Sequence, residues 1–270
     1  MICPLCFHNC DLKEGQTGFC LARKCVDGKV IDLNYGKITS LALDPIEKKP
    51  FKRFYPGSYI LSVGSYGCNL KCPFCQNSSI SYDTGREVYC DLSPEELVDI
   101  ALKEFDNIGI AFTYNEPSVG YEYMYDTFKL AHKNKLKCVI VTNGTLSTPY
   151  LEKILPYVDA MNIDLKGFDQ SCYDKLQGNL EAVKESIALA SKYTHVEVTS
   201  LIVPTINDSL EMMEEEAKWL ASLDPEIVLH ITRFFPAFKM TNQRPTSLDL
   251  INEMVGIAKK YLKYVYKGNC

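Results

Sequence analysis

The chain predicts an α/β fold: a partial (β/α)6 barrel with a small cysteine-rich extension at its N-terminus. Three observations lead there. Apolar, strand-like runs recur at 59–63, 108–112, 137–141, 160–164, 196–201 and 227–231, with helical patterns between them. These runs are apolar throughout, as expected of parallel strands buried on both faces. Five of the twelve cysteines fall within residues 3–25, ahead of the first run. Right-handed crossovers would curl six such units into a barrel or part of one, whose chemistry would lie at the C-terminal ends of the strands. The expected division is 1–57 for the extension and 58–270 for the barrel.

Taken in order, residues 1–25 read as a metal knuckle, and 28–43 as a short hairpin about Tyr35-Gly36. Residues 44–57 hold three prolines and several aromatics, which suggests an ordered, packed loop. The clearest helix signal is Ser93-Pro-Glu-Glu96, an N-cap serine with proline at the first position and a capping-box glutamate. Leu97, Ile100, Ala101 and Phe105 then recur at helical spacing. Thr148-Pro149 reads as a similar start, and further helices are expected near 119–134, 180–192, 209–222 and 247–260.

Composition narrows the function. At 270 residues, 46% hydrophobic and 23% charged, the chain is ordinary for a globular protein, and its net charge of −5 offers no footprint for nucleic acid. No run approaches the roughly eighteen apolar residues of a membrane span. The opening residues lack the basic and apolar regions of a secretory signal, so a cytoplasmic location is expected. In that compartment clustered cysteines are metal ligands more naturally than disulfides. The scattered Cys90, Cys138 and Cys172 read as small hydrophobes; Cys270, at the end of the sequence, is harder to place.

Cys68, Cys72 and Cys75 follow the first strand with gaps of three and two residues. Three thiolates on one loop can hold three irons of a [4Fe–4S] cube and leave the fourth open to a small molecule. Zinc would want a fourth ligand and paired cysteine units. Gly64 and Gly67 would let the backbone bend closely around a cofactor, and Phe74 offers a stacking face. Cys3, Cys6, Cys10 and Cys20 make a second, four-ligand set suited to zinc or to an auxiliary cluster, with His8 and Cys25 as spare donors.

The three-cysteine motif, with its aromatic before the last cysteine, resembles the signature of the radical S-adenosylmethionine (SAM) enzymes. Their core is a TIM-like partial barrel. The resemblance implies that the open iron chelates SAM and that reduction yields a 5′-deoxyadenosyl radical, which abstracts hydrogen from a substrate. Tyr114-Asn115-Glu116-Pro117 stands where such proteins hold the SAM amino group, which implies that role for Glu116 beside Asn115. Val141-Thr142-Asn143-Gly144 and Asn162-Ile-Asp164-Leu-Lys166 resemble SAM-site segments of pyruvate formate-lyase activating enzymes. Asp164 and Lys166 share a strand face; Asp164 would meet SAM or a cation, and Lys166 the substrate, the SAM carboxylate or only an ion-pair partner.

The stretch 201–209 resembles the adenine-side loop, with Val203 and Pro204 as apolar contacts and Asn207 and Asp208 as helix caps. Arg233, at the last strand's exit, would meet a carboxylate or shape the substrate opening, whereas His230 alone reads as a core histidine. Tyr66, Lys166 and Arg233 together would suit an acidic small molecule or a peptide.

With Asp44-Pro-Ile-Glu-Lys-Lys-Pro50, Thr232-Arg-Phe-Phe-Pro236 and the N-terminal cysteine spacing, the likeness is narrower. The chain resembles the AmmeMemoRadiSam-system radical SAM proteins almost end to end, departing at Cys25 and at 267–270. It implies an oxygen-sensitive enzyme working anaerobically with a flavodoxin- or ferredoxin-type reductant. The alternatives are an activase that installs a glycyl radical on a partner protein, or a non-catalytic iron–sulfur or zinc protein.

Overall fold

The computed structural model describes residues 1–270. Its strands, in chain order, are β1 (Arg23–Val26), β2 (Lys29–Asp32), β3 (Lys37–Ile38), β4 (Ser40–Pro45), β5 (Tyr59–Gly64), β6 (Cys90–Asp91), β7 (Asn107–Phe112), β8 (Lys137–Thr142), β9 (Ala160–Asp164), β10 (His195–Ile202), β11 (Val228–Arg233) and β12 (Tyr264–Gly268). The helices are α1 (Ser78–Ser81), α2 (Pro94–Lys103), α3 (Tyr121–Lys133), α4 (Thr148–Ile154), α5 (Gln170–Lys175), α6 (Leu180–Ala190), α7 (Leu210–Leu223) and α8 (Leu248–Ala258). None of them is long and apolar enough to cross a membrane.

One sheet carries the fold, in the order β12-β11-β10-β9-β8-β7-β5-β4. Every neighbouring pair is parallel except β4 and β5, which run antiparallel from Ser40↔Gly64 to Pro45↔Tyr59. The six expected parallel strands are therefore joined by two more. The β12 run is half polar (Tyr-Val-Tyr-Lys-Gly), the usual look of an edge strand, and its weak signal hid it. The open ends at β12 and β4 make this a partial barrel.

Helix starts follow local chemistry. Ser93 Oγ accepts from the Glu96 N–H at 3.2 Å while Glu96 Oε2 accepts from the Ser93 N–H at 2.7 Å, closing the capping box on α2. The α4 start differs in detail. Its N-cap is Ser147, whose hydroxyl donates instead to Pro4 O, 2.7 Å away.

The expected hairpin about Tyr35-Gly36 is corrected. The hairpin is β1–β2, turning at Asp27-Gly28, both with positive φ (50° and 68°). Asp-Gly is the pair that a two-residue primed turn demands. Gly36 does turn the chain, also at positive φ, but β3 then pairs with β6 and β4 with β5.

The 46–57 segment plugs the N-terminal end of the barrel. Phe51 and Phe54 are buried with Ile46 and Ile60 against Ala111, Val139 and Ala160. Pro50 O accepts from Asn162 Nδ2 at 2.8 Å, and the Arg53 guanidinium lies 3.8 Å from the centre of the Tyr264 ring. The loop thus reaches from β4 to β12 and gives the interior a floor.

The N-terminal cysteine segment docks onto the barrel's loops. Cys6 bridges to Leu146, the Ser147 N–H donates to Leu5 O at 3.0 Å, and Arg23 makes a two-pronged ion pair with Glu122 of α3.

Candidate active site

Strand alternation puts Ser62, Thr113, Val141, Asn162, Asp164, Thr199, His230 and Thr232 on the concave side, since successive side chains face opposite ways and the register aligns Asp164, Thr199 and His230. All of these but Ser62 and Asn162 line a cavity of about 650 Å³. Cys68, Cys72, Phe74, Cys75, Asn115, Glu116, Thr142, Asn143, Asp164 and Lys166 all line it. Four expected residues do not: Tyr66 turns away, its hydroxyl donating to Leu33 O at 2.9 Å, and Pro204 lies apart beside Asp208 and Thr246. Val203 is fully buried beneath the loop with Leu70, Cys72 and Phe74, and Arg233 turns aside, with Nε donating to Thr246 O at 2.7 Å and its guanidinium over Phe235.

The groups after β7 and β8 form one network. Glu116, almost wholly buried, has Oε1 bonded by the Thr142 hydroxyl (2.6 Å) and the Ser118 N–H (3.0 Å), and Oε2 by the Asn143 N–H (2.7 Å). Burial nevertheless pushes its carboxyl up from the usual value. A carboxylate has about four acceptor positions, so one on Oε2 is left for a donor in the cavity. Asn115 is spent on the chain itself: Oδ1 accepts from the Ser65 N–H, and Nδ2 donates to Tyr66 O and Gly67 O. Asn143 Nδ2 donates to Asn69 Oδ1 at 2.8 Å, tying the network to the cysteine loop.

Gly64 and Gly67 serve packing against the chain. A Cβ at 67 would lie 2.6 Å from Cys20 O, and one at 64 would lie 2.9 Å from the Tyr114 ring. Tyr114 holds a left-handed backbone (φ 72°), and its hydroxyl donates to Asp44 Oδ2 at 2.6 Å. Strain of this kind persists only where the surroundings impose it. Lys49, buried, shares Asp44 at 2.8 Å and lies over the same ring. Neither Asp44 nor Lys49 stood out as a site residue in the sequence; their only signal was their place in the 44–50 motif.

Electrostatically the cysteine rim calls for positive charge. Burial first, and then Glu116, push the Cys68 thiol up; burial raises Cys72 to about 11 against the opposing pull of Lys166. Lys166 Nζ lies 2.8 Å from Asp164 Oδ2; burial works against its charge, but the Asp164 carboxylate, the strongest of the opposing influences, helps hold it charged. Two thiols that resist ionisation, Cys68 and Cys72, with Cys75 beside them on the rim of a roomy polar cavity, fit a cationic cluster that would offset the cost of the thiolates.

Cys3, Cys6, Cys10, Cys20 and His8 surround a second, nearly closed pocket of only about 20 Å³. Their sulfurs are not drawn together to the spacing of a single bound ion. Cys25 is outside it, with its thiol toward Glu14 Oε2 at 3.8 Å. Asn69 belongs to both centres, its carbonyl 2.9 Å from His8 Nε2 and its side chain toward Asn143 and Thr145. Nothing in the sequence beyond its place after Cys68 marked it. Of the scattered cysteines, Cys138 and Cys172 are buried, Cys90 is half-buried and Cys270 is exposed.

At the far end of the cavity, Glu197 is fully buried on β10. Its oxygens bond His195 Nε2 (2.9 Å) and His230 Nε2 (2.5 Å) and accept the Lys52 and Arg53 amides at 2.8–3.1 Å. Burial opposes its charge, but these donors win and hold its carboxyl at about 2.

Comparison with known proteins gives three findings. The radical SAM superfamily model matches residues 62–220. The chain is 42% identical over 99% of its length to 80% of an uncharacterized protein, MJ0808, of Methanocaldococcus jannaschii, and 27% identical over 76% of its length to 79% of that organism's putative glycyl-radical enzyme activating enzyme MJ1632. In shape it resembles a domain of pyruvate-formate lyase-activating enzyme from Bacteroides vulgatus, with TM-score 0.53 and 16% identity over 60% of this chain and 99% of that one.

Proposed function

The chain belongs to the radical SAM superfamily, as a radical SAM enzyme related to the pyruvate formate-lyase activating enzymes, and from that premise we propose how its residues divide the work. Cys68, Cys72 and Cys75 would hold a [4Fe–4S] cluster, and SAM would lie along the network after β7 and β8. The group bound there supplies reductive cleavage of a sulfonium to a carbon radical able to abstract hydrogen.

The remaining Oε2 position of Glu116 would take the SAM ammonium, with Thr142 and Asn143 holding that carboxylate in place. Phe74, with Val203 behind it, would pack the adenine side. The Asp164–Lys166 pair would present Lys166 to a carboxylate in the cavity while Asp164 keeps it charged and oriented. Cys3, Cys6, Cys10 and Cys20 would hold a second metal centre with a bracing role, zinc or an iron–sulfur cluster. A flavodoxin- or ferredoxin-type protein would supply electrons.

The observation that carries this reading is the convergence of three cysteines, Cys72 buried and Cys68 and Cys75 half-buried, and one partly unsatisfied carboxylate on a single cavity of about 650 Å³. The test is anaerobic reconstitution followed by dithionite and SAM. Formation of 5′-deoxyadenosine and methionine is expected. Its absence, together with unchanged iron content in Cys72→Ala, would sink the proposal.

The likeness to MJ1632 favours one second reading, transfer of the radical to a glycine of a partner protein. A glycyl-radical doublet appearing in a partner by electron paramagnetic resonance would support it.

A further inference from the structure

We propose that His230 is the acid–base group of the substrate end of the cavity, with Glu197 as the positioning residue that fixes its ring. This deepens the reading above and relies on it only for taking the cavity as the reaction chamber.

His230 is 3% exposed and sits in the cavity wall, across the sheet from the cysteines. Its Nε2 is committed to Glu197 Oε2. Its Nδ1 makes no hydrogen bond, yet it is not among the side-chain atoms that are both sealed and unpartnered, so it meets the cavity space. A buried imidazole with one nitrogen on a buried carboxylate and the other open to a chamber is how acid–base histidines are built: the carboxylate sets the tautomer, and the free nitrogen does the transfer. A histidine serving packing alone would have both nitrogens paired or sealed.

The surroundings are consistent with this use. Glu197 and Thr199 come from β10, Tyr266 of β12 stacks on the ring with centroids 5.8 Å apart, and the 46–57 loop brings the Lys52 and Arg53 amides onto the same carboxylate. The second oxygen of Glu197 reaches His195, which is partly exposed at the barrel's floor. A substrate carrying an ionisable O–H or N–H fits this end. Its O–H or N–H bond breaks, the proton goes to Nδ1, and the electron pair stays on the heteroatom. The Glu197 carboxylate balances the new imidazolium charge, and protonation of a product runs the same step backward.

The test uses oxidised holoenzyme labelled with nitrogen-15 in its imidazoles; with only four histidines in the chain, each ring can be followed. The neutral His230 ring is expected to carry its proton on Nε2, against Glu197, with Nδ1 unprotonated and open to the cavity. Diethyl pyrocarbonate, a small acylating probe, is expected to modify His230 as well as the exposed His132. Glu197→Gln is expected to raise the Nδ1–H form severalfold. Two results overturn the proposal: a proton fixed on Nδ1 in the neutral ring, or His230 untouched after His132 has fully reacted. Since Glu197 also anchors the loop, the parent protein's spectrum decides the point without any variant. None of these readouts depends on SAM cleavage, so failure here and failure of the radical reading are separable.

Discussion

Two groups of cysteines meet back to back in this molecule, close enough that the Cys68 N–H donates to Cys20 O at 3.2 Å. One offers four thiols and a histidine around some 20 Å³ of space, and the other offers three thiols on the rim of about 650 Å³. Ligand number and free volume vary in opposite directions. A full ligand set with no room has nothing left to bind, which suits a brace, whereas a set one ligand short beside a large chamber suits a centre that binds something else. Composition alone would class the two as alike; the space beside each tells them apart.

The largest effect that could break this contrast comes from removing one thiol on each side. Cys72→Ala is expected to abolish 5′-deoxyadenosine formation, by more than about a thousandfold, with only a modest change in Tm, read by product chromatography and thermal melts. Cys10→Ala is expected to do the reverse in emphasis, lowering Tm by roughly 10 °C or more through loss of a folding-linked metal. Equal loss of stability in both variants would erase the distinction.

A second measurement concerns metal loading. Burial places the Cys72 and Cys20 thiols at about 11 each, so at neutral pH both are protonated and must release protons to bind metal. Thiolate population rises about tenfold per pH unit below such a pKa. Iron uptake by the metal-free protein, followed by absorbance, should therefore be at least about tenfold faster at pH 8.5 than at pH 6.5.

Smaller effects sharpen the picture. Glu116→Gln keeps the shape but loses the charge, and should weaken SAM binding about tenfold, near 1.4 kcal/mol, by calorimetry. Glu216, buried on α7 against Ser200, bears on the frame holding both centres. Burial raises its carboxyl to about 8, so the folded state keeps a proton that the unfolded chain gives up near 4.5. Its contribution to stability is complete below about pH 4.5 and lost as pH rises through about 8. Glu216→Gln should raise Tm relative to the parent at pH 8.5 and leave it little changed at pH 5. Least of all, Cys25→Ser should leave the metal content unchanged and Tm within about 3 °C, because Cys25 stands outside the small pocket.

Much of this was legible before any coordinates. Strand runs with helices between them mark the parallel core because burial on both faces leaves a plain apolar signature. The three-cysteine loop and Glu116 stand directly after strands, where barrel chemistry collects. What escaped had weaker local signals. The polar β12 pays for its edge position by looking like a loop, and the primed turn at Asp27-Gly28 was outweighed by a Tyr-Gly pair whose flanking strands find other partners. Arg233 stands at a strand exit as expected, yet Thr246 and Phe235 take up its side chain. Asn69, Asp44 and Glu197 draw their meaning from contacts far along the chain, 61, 70 and 145 positions away in the pairs His8–Asn69, Tyr114–Asp44 and Lys52–Glu197, and no local pattern encodes such pairing.

The docking of Leu5 and Cys6 on Leu146 and Ser147 has a consequence for how the protein is made. The hydroxyl of Ser147 bonds Pro4 O across 143 positions of sequence. At synthesis rates of about 5–20 residues per second, the first cysteines leave the ribosome roughly 7–30 seconds before their seat exists. During that interval they are open thiols, free to take the wrong metal or to oxidise. If Cys3, Cys6, Cys10 and Cys20 hold the metal proposed for them, its supply during translation, rather than after it, would set how much of the protein matures correctly. Pro4 and Cys6 find their seat only once Leu146 and Ser147 have been made.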